Sequence, residues 1–281
     1  MKLYKIILSV IFAIVVNSSV CAQFIKSNDP YSKRPFVHHK PVTLGISKFE
    51  VVYETVTKDK RFKNDEIDFR ILQIDDTVSV YRSYGLFKTD SVFACTPGMT
   101  NGDYIEEYHA NNGASNFIKK CKSEGTLLAK DYTMRTDEYL YEEPFSDFNW
   151  ELTDSVKRIA GYNCHQAKTR FRGRDWTVWY TEDIPIQDGP WKFQGLPGLI
   201  LRAYDSTGDQ YITAIIIRKG ELAPIIWERY LYSKTTRERF LKDKREFMDE
   251  PWKFFRGYPG PDGKIQEAPK RIRFYNPMEL E

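Results

Sequence analysis

Between positions 181 and 201 the chain reads TEDIPIQDGPWKFQGLPGLIL, with three prolines and three glycines in the fourteen residues from Pro185 to Gly198. Proline fixes φ near −65° and removes a backbone donor, while glycine opens the left-handed region, so neither a helix nor a strand can run through this stretch. It is a connection of set shape. The residues around it, Trp176 to Thr181 (WTVWYT) and Leu199 to Tyr204 (LILRAY), have the β-branched and aromatic content of strands. Pro197-Gly198 fits the central pair of a type II turn leading into Leu199-Ile200-Leu201. The connection also carries Ile184, Ile186, Trp191, Phe193 and Leu196, each worth about 1.5–3 kcal/mol once buried. A solvated loop does not carry that much apolar area. The segment is therefore expected to cover the end or open face of a sheet, as the wall or lid of a pocket or as a plug that closes the core.

The rest of the chain agrees with a β-rich fold. Lys48 to Thr57, Glu66 to Ile74 and Thr77 to Tyr84 read as strands, the last two joined at Asp75-Asp76. Phe148 to Leu152 precedes a hairpin formed by Cys164 to Phe171, a turn at Gly173, and Trp176 to Thr181. Period two puts Ala167, Thr169 and Phe171 on one face and Gln166, Lys168 and Arg170 on the other. Leu199 to Tyr204 and Gln210 to Lys219 form a second hairpin around Asp205–Asp209. One strong helix is expected, opened by a capping box at Thr235-x-x-Glu238, striped by Phe240, Leu241, Phe247 and Met248, and stopped by Pro251. Residues 85 to 140 show turns at Thr96-Pro97-Gly98 and Asn111-Asn112-Gly113, and no clear elements between them. The fold class is mainly β (α+β): a curved antiparallel sheet or half-barrel with one clear helix and minor helical pieces.

Several runs resemble one known family: Ile159-Ala160-Gly161-Tyr162-Asn163-Cys164, Phe171-Arg172-Gly173-Arg174, Trp179 to Ile186, and Gly189 to Ile200, which contains Gly195-Leu196-Pro197-Gly198-Leu199-Ile200. They are similar to the GLPGLI family of exported proteins from Gram-negative bacteria. The closing Tyr275-Asn276-Pro277-Met278-Glu279-Leu280 resembles the usual ending of that family. The resemblance implies export and a periplasmic location. It implies no activity and no catalytic residues.

The amino terminus supports export independently. Lys2 and Lys5 precede the apolar run Ile6–Val16, and Val20-Cys21-Ala22 offers a cleavage site before Gln23. About 11 apolar residues fall short of the ~20 that span a bilayer. Val20 is the wrong residue before a lipidated Cys21. The expected organisation is a signal peptide over residues 1–22, an extended arm over 23–40, and a single β-rich domain over 41–281. The formal charge of +3, from 42 Lys and Arg against 39 Asp and Glu, drops by the leader's two lysines to +1. So balanced a surface argues against nucleic acid as partner. The mature chain keeps Cys95, Cys121 and Cys164, which allow one disulfide and one spare thiol in an oxidising compartment.

No residue pattern demands an enzyme. Cys164 and His165 are strand neighbours pointing to opposite faces, and a pairing of Cys164 with His109 has nothing to support it. Glu182, Asp183 and Asp188 could supply the two carboxylates of a glycan hydrolase, or could simply cap turns and pair with arginines. His38-His39 sits in the arm without further ligands. Neither a metal nor a cofactor is expected. The leading expectation is a non-enzymatic periplasmic binding or accessory protein holding a lipid-like ligand or a hydrophobic segment of an envelope protein against Trp179, Trp191, Phe193 and Leu196. The alternatives are an envelope glycan hydrolase, and a structural envelope protein without ligand.

Overall fold

The computed structural model describes residues 30–36, 42–111, 116–132, 138–227, 232–254, 258–259, 265–266 and 270–281. The expected signal peptide, Cys21 and the His38-His39 pair lie outside them. The chain divides into two compact units, one from residues 1–40 and 83–114 and the other from 41–82 and 115–281.

The smaller unit is helical. Helix α1 (Tyr84–Cys95) is capped by the Ser83 hydroxyl, which accepts from Leu86 N, and it ends at Thr96, just before Pro97. Helix α2 (Asn101–Ala110) opens with a capping box in which Thr100 and Asp103 satisfy each other's backbone N–H groups. The described part of the expected arm does not run free. Pro35 bridges Thr100, Asn101 Nδ2 donates to Tyr31 O (3.0 Å), and Phe36 stacks on Tyr104 at 4.1 Å.

The larger unit is built on one open sheet. Its strands are β2 (Phe49–Thr57), β3 (Glu66–Ile74), β4 (Val78–Ser83), β5 (Phe117–Cys121), β6 (Thr126–Tyr132), β7 (Glu138–Pro144), β8 (Glu151–Ile159), β9 (Tyr162–Phe171), β10 (Arg174–Thr181), β11 (Leu199–Asp205), β12 (Gln210–Lys219) and β14 (Tyr232–Lys234). Their spatial order is β14-β7-β6-β5-β4-β3-β2-β12-β11-β10-β9-β8. The ladder is antiparallel apart from β14, which runs parallel to β7. Because the order has two ends, β14 and β8, the sheet does not close into a barrel among the described residues. Strands β1 (Val42–Ile46) and β13 (Pro224–Trp227) pair separately. The mainly β, α+β class read from the sequence is the observed one.

Alternation holds where it was expected. Ala167 and Thr169 are buried while Lys168 and Arg170 are exposed, and β9 meets β10 through a two-residue turn, Arg172-Gly173, with both φ positive. That matches a type I′ turn, which follows the twist of the paired strands. Three expectations shift. The strand expected at Phe148–Leu152 begins at Glu151, which leaves Phe148 and Trp150 off the ladder. Helix α3 (Arg237–Asp249) is capped by Thr236, not Thr235, because the Thr236 hydroxyl is the one reached by Arg239 N (3.3 Å). The stretch from 85 to 140 contains α1, α2 and three strands. Helix α3 buries Phe240 and Phe247, and Phe240 joins Leu127, Ala129 and Tyr141 of β6 and β7.

The main core lies between the β9–β12 strands and the 182–198 connection. Trp176, Val178, Cys164, Ala167, Ala203 and Leu201 share one buried cluster with Trp191, Phe193 and Leu196, all at most 6% exposed.

Candidate functional site

The connection between β10 and β11 is fastened at both ends. Its return into β11 brings Gly198 against the chain that leaves β10: a Cβ on Gly198 would stand 2.0 Å from Thr181 O. Gly198 is thus required by close approach. The type II turn expected at Pro197-Gly198 is not formed, since positive φ falls on Gly195 (87°) and on Trp191 (54°) and not on Gly198. Between these points the segment folds back on itself, with Asp188 bridged to Gln194 and Ile200 N donating to Asp188 O (3.0 Å).

On one side the connection is held by a buried lysine of β5. Lys120 Nζ donates to Asp188 Oδ1 (2.7 Å), Gly189 O (2.8 Å) and Phe193 O (2.9 Å), so all three ammonium hydrogens are used. Both charges are almost sealed, Lys120 at 1% and Asp188 at 2% exposure. Burial pulls the ammonium below the usual lysine value, and the Asp188 carboxylate beside it opposes that pull. Asp188 Oδ1 also accepts from Gly189 N (2.8 Å), while Oδ2 has Lys122 Nζ at 3.9 Å and no hydrogen bond among the described residues.

Above this pair opens a pocket of about 500 Å³. Lys120 and Lys122 of β5 form one wall, and Gln187, Asp188, Gln194 and Gly195 of the connection form another. The third wall is the segment between β7 and β8, with Asp147, Phe148 and Trp150. Phe148 and Trp150 stack at 5.1 Å with 16° between their planes. Their positions are set from inside: Trp150 Nε1 donates to Gln194 O (3.0 Å), and Phe148 leans on Phe171 (4.5 Å) and Phe193 (5.8 Å). The pocket is therefore an aromatic shelf facing amides and charges, with its rear packed into the core.

On its other side the connection meets the end of the described chain. Lys192, 2% exposed, contacts the carboxylates of Glu143 and Glu279, the latter at 2.5 Å, and donates to the Tyr141 hydroxyl (3.4 Å). Arg172 pairs with Glu143 (3.0 Å) and Arg237 with Glu279 (3.0 Å). Burial and these two carboxylates push the Tyr141 phenol well above its ordinary value. Further along the tail, Arg174 pairs with Asp205 (2.5 Å) and donates to Pro277 O (2.6 Å), while Gln210 Nε2 donates to Asn276 O (2.7 Å). Tyr275 N donates to Asp59 Oδ2 (3.0 Å), and Arg61 with that hydrogen bond holds the Asp59 carboxyl at about 2. The YNPMEL ending is a strap over the β9–β10 hairpin.

The residues singled out in sequence fall in several places. Trp179 (8%), Trp191 (6%), Phe193 (0%) and Leu196 (2%) are buried core, and the pocket is lined by other side chains. Gly195 borders the pocket; Pro197 is exposed; Leu199 and Ile200 are buried. The three acids do not converge, since Glu182 and Asp183 are exposed at the start of the connection and Asp188 is paired within it. Cys164 is buried, its thiol pushed up to about 11 by burial, and His109 belongs to the helical unit. Cys95, Cys121 and Cys164 are all free thiols, so no bridge joins them. Among the described residues no group of three His, Cys, Asp or Glu could hold a metal ion, and no helix is long and apolar enough to cross a membrane. Sequence reasoning missed Lys120, Lys122, Asp147 and Trp150. The only available signal was the doubled lysine inside an apolar β run, FIKKC.

Fold and site together define an open-sheet β protein with an aromatic and polar pocket walled by its Pro/Gly connection. Comparison with known proteins adds a family match over part of the chain. Residues 105–236 match the family described as the N-glycanase peptide, N-terminal domain (PNGase F-II). Among solved structures the chain is similar to PNGF-II in two crystal forms, at 12% identity, with TM-scores of 0.49 and 0.48. The match covers 72% and 71% of this chain but only 34% and 33% of those chains, so this chain spans about a third of their length. No curated protein matches it.

Proposed function

We propose that this chain is an exported, periplasmic protein of the GLPGLI type that binds a glycan-bearing envelope ligand and does not hydrolyse it. The observation that carries the reading is the pocket: a stacked Phe148/Trp150 shelf opposite Gln187 and Gln194, with its rear fixed by Phe193 and Lys120. Sugar rings offer polarised C–H faces to an aromatic surface and hydroxyls to amides, and a pre-formed site spends little free energy on ordering. The segment that matches the N-glycanase N-terminal domain, residues 105–236, contains every residue of the pocket. That description attaches glycan chemistry to proteins carrying such a domain, and it favours a glycan over the lipid-like ligand first expected from Trp179, Trp191, Phe193 and Leu196. Those four side chains are spent on the core.

Hydrolysis of a glycosidic bond is disfavoured by the fate of the acids. A glycosidase needs two carboxylates facing one glycosidic bond. Asp188 is sealed at 2% exposure and ion-paired to Lys120, which leaves Asp147 as the exposed carboxylate of the lining. Native mass spectrometry of the mature protein with N-glycopeptides and peptidoglycan fragments tests the reading. The expected result is a non-covalent adduct of intact glycan mass; a co-purifying lipid adduct, released sugar, or no adduct with either probe would overturn it.

A further inference from the structure

On the reading that the pocket is a glycan site, two of its polar atoms narrow which group of the sugar it holds. Lys120 has nothing to offer a ligand, because its three hydrogens go to Asp188, Gly189 and Phe193. Asp188 spends Oδ1 on Lys120 and on Gly189 N, but its buried Oδ2 has no hydrogen bond among the described residues. Lys122 gives one hydrogen to Asp75 O (2.7 Å), and no other acceptor among the described residues takes one from it. Its Nζ stands 3.9 Å from Asp188 Oδ2, too far for a hydrogen bond between them. Both residues line the pocket. A buried carboxylate oxygen without a donor is costly, so a ligand that supplies the donor gains on binding.

We propose that Asp188 Oδ2 and Lys122 Nζ share one hydroxyl of the ligand, which donates to the carboxylate and accepts from the ammonium. An oxygen about 2.8 Å from each of two atoms 3.9 Å apart subtends roughly 90°, an angle that a hydroxyl's hydrogen and lone pair can serve. The other common groups of a sugar cannot do both. An amide N–H only donates, while a ring oxygen, carbonyl or carboxylate only accepts and would meet Asp188 as a second acceptor. A hydroxyl also adds no charge to a lining in which Lys120 and Lys122 balance Asp147 and Asp188. Lys122 is the more exposed partner, 29% against 2% for Asp188, so the hydroxyl reaches the gap from the Lys122 side. Both are binding residues, and the Phe148/Trp150 shelf holds the ring whose hydroxyl they read.

The test is a ligand-observed NMR titration of the full mature chain with the methyl glycosides of mannose and N-acetylglucosamine. Each is compared with its monodeoxyfluoro derivatives, in which fluorine replaces one hydroxyl, keeping its size and removing its donor. One position is expected to cost at least about tenfold in affinity and the others less than about threefold. Lys122→Met, at a partly exposed position, should weaken the parent glycoside about fivefold. It should also shrink the loss at the costly position to about threefold or less, the coupling expected of two groups on one oxygen. Should that variant fail to fold, the fluorinated series on the unaltered chain still decides. If a parent glycoside binds and no position stands out, the shared hydroxyl is overturned and the glycan reading stands. A costly position whose loss Lys122→Met leaves unchanged overturns it too, since that hydroxyl then lies away from Lys122. If neither parent binds, this inference falls, and the glycan reading falls with it only when N-glycopeptides and peptidoglycan fragments also leave no adduct.

Discussion

Two buried lysines hold the same connection from opposite sides, and they do so in different ways. Lys120 faces one carboxylate and two carbonyls, and Asp188 has as a second cation only Lys122, 3.9 Å from its Oδ2 and without a hydrogen bond to it. Lys192 sits among two carboxylates, with Arg172 and Arg237 paired to the same acids. The first is a buried pair with one distant second cation, Lys122, and it becomes costly when one member is removed. The second is a network that can redistribute. The difference teaches that burial alone does not measure how much a charge matters; what counts is whether its partner has another close partner. It also separates roles, since the buried pair floors the pocket and the network fastens the strap.

The sharpest way to break this contrast is to strike the point both sides share. Gly198→Val would drive a side chain into the backbone carbonyl of Thr181 and should abolish the cooperative melt seen by near-ultraviolet circular dichroism. Survival of a native spectrum would show that the connection can be re-routed. Next in size is Lys120→Met, expected to cost about 3–5 kcal/mol in urea unfolding because Asp188 is left charged and buried. Lys192→Met should cost less, about 1–3 kcal/mol, since Arg172 and Arg237 still neutralise Glu143 and Glu279. If the two lysine variants cost the same, the contrast between pair and network fails. Adding Asp188→Leu to Lys120→Met sharpens it: the double variant should recover at least about 1 kcal/mol over the single, measured as a double-mutant cycle.

The smallest effect concerns acid. Asp59, at about 2, and Asp205, lowered as its hydrogen bonds to Thr207 and Gln210 and the Arg174 charge outweigh its burial, both serve the strap side. Their folded values lie below the unfolded ones, so their contribution is complete above about pH 5 and drains away as pH falls toward 2. Lys120 behaves oppositely. Its folded value lies below the ordinary lysine range, so the folded state gains stability only as pH rises through that range. Asp59→Asn should therefore remove about 1–2 kcal/mol of the stability difference between pH 6 and pH 3. An unchanged pH profile would show that the Arg61–Asp59 contact does not hold the strap.

What the sequence revealed follows from how local each signal was. The β9–β10 and β11–β12 hairpins were legible because period two and a short Gly-containing turn are properties of neighbouring residues. Helix α3 was legible from its Phe240/Phe247 stripe, while its cap was misplaced by one residue because Thr235 and Thr236 offer the same hydroxyl. Helix α2 could have been found from Thr100 and Asp103, a capping pair standing in a polar stretch with little apolar stripe to flag it. The apolar residues of the connection were read correctly as needing cover, and they find it in the core. The pocket could not be read. Lys120 and Asp188 are 68 residues apart, and Trp150 and Gln194 are 44 apart; only the sheet order brings them together. Their residue types, taken singly, look like any solvated lysine or loop acid.

The seam between β2 and β12 bears on how the molecule is made. Every residue pair along it, from Thr57 with Gln210 to Phe49 with Lys219, joins stretches separated by most of the chain, and the Thr57–Gln210 side-chain contact alone closes a loop of 153 residues. On one side of the seam the sheet is a run of strands drawn from before residue 145, with β14 at its far edge; on the other it is the β8–β12 meander. Each half can zip from its own hairpins, but the two become one sheet only when β12 pairs with β2. Loop closure of that span is entropically expensive and slow, so the joining of halves should limit the folding rate. Until then the inner edges of β2 and β12 are open ladders, the points at which a helper protein, or an unwanted neighbour, would find the chain unguarded.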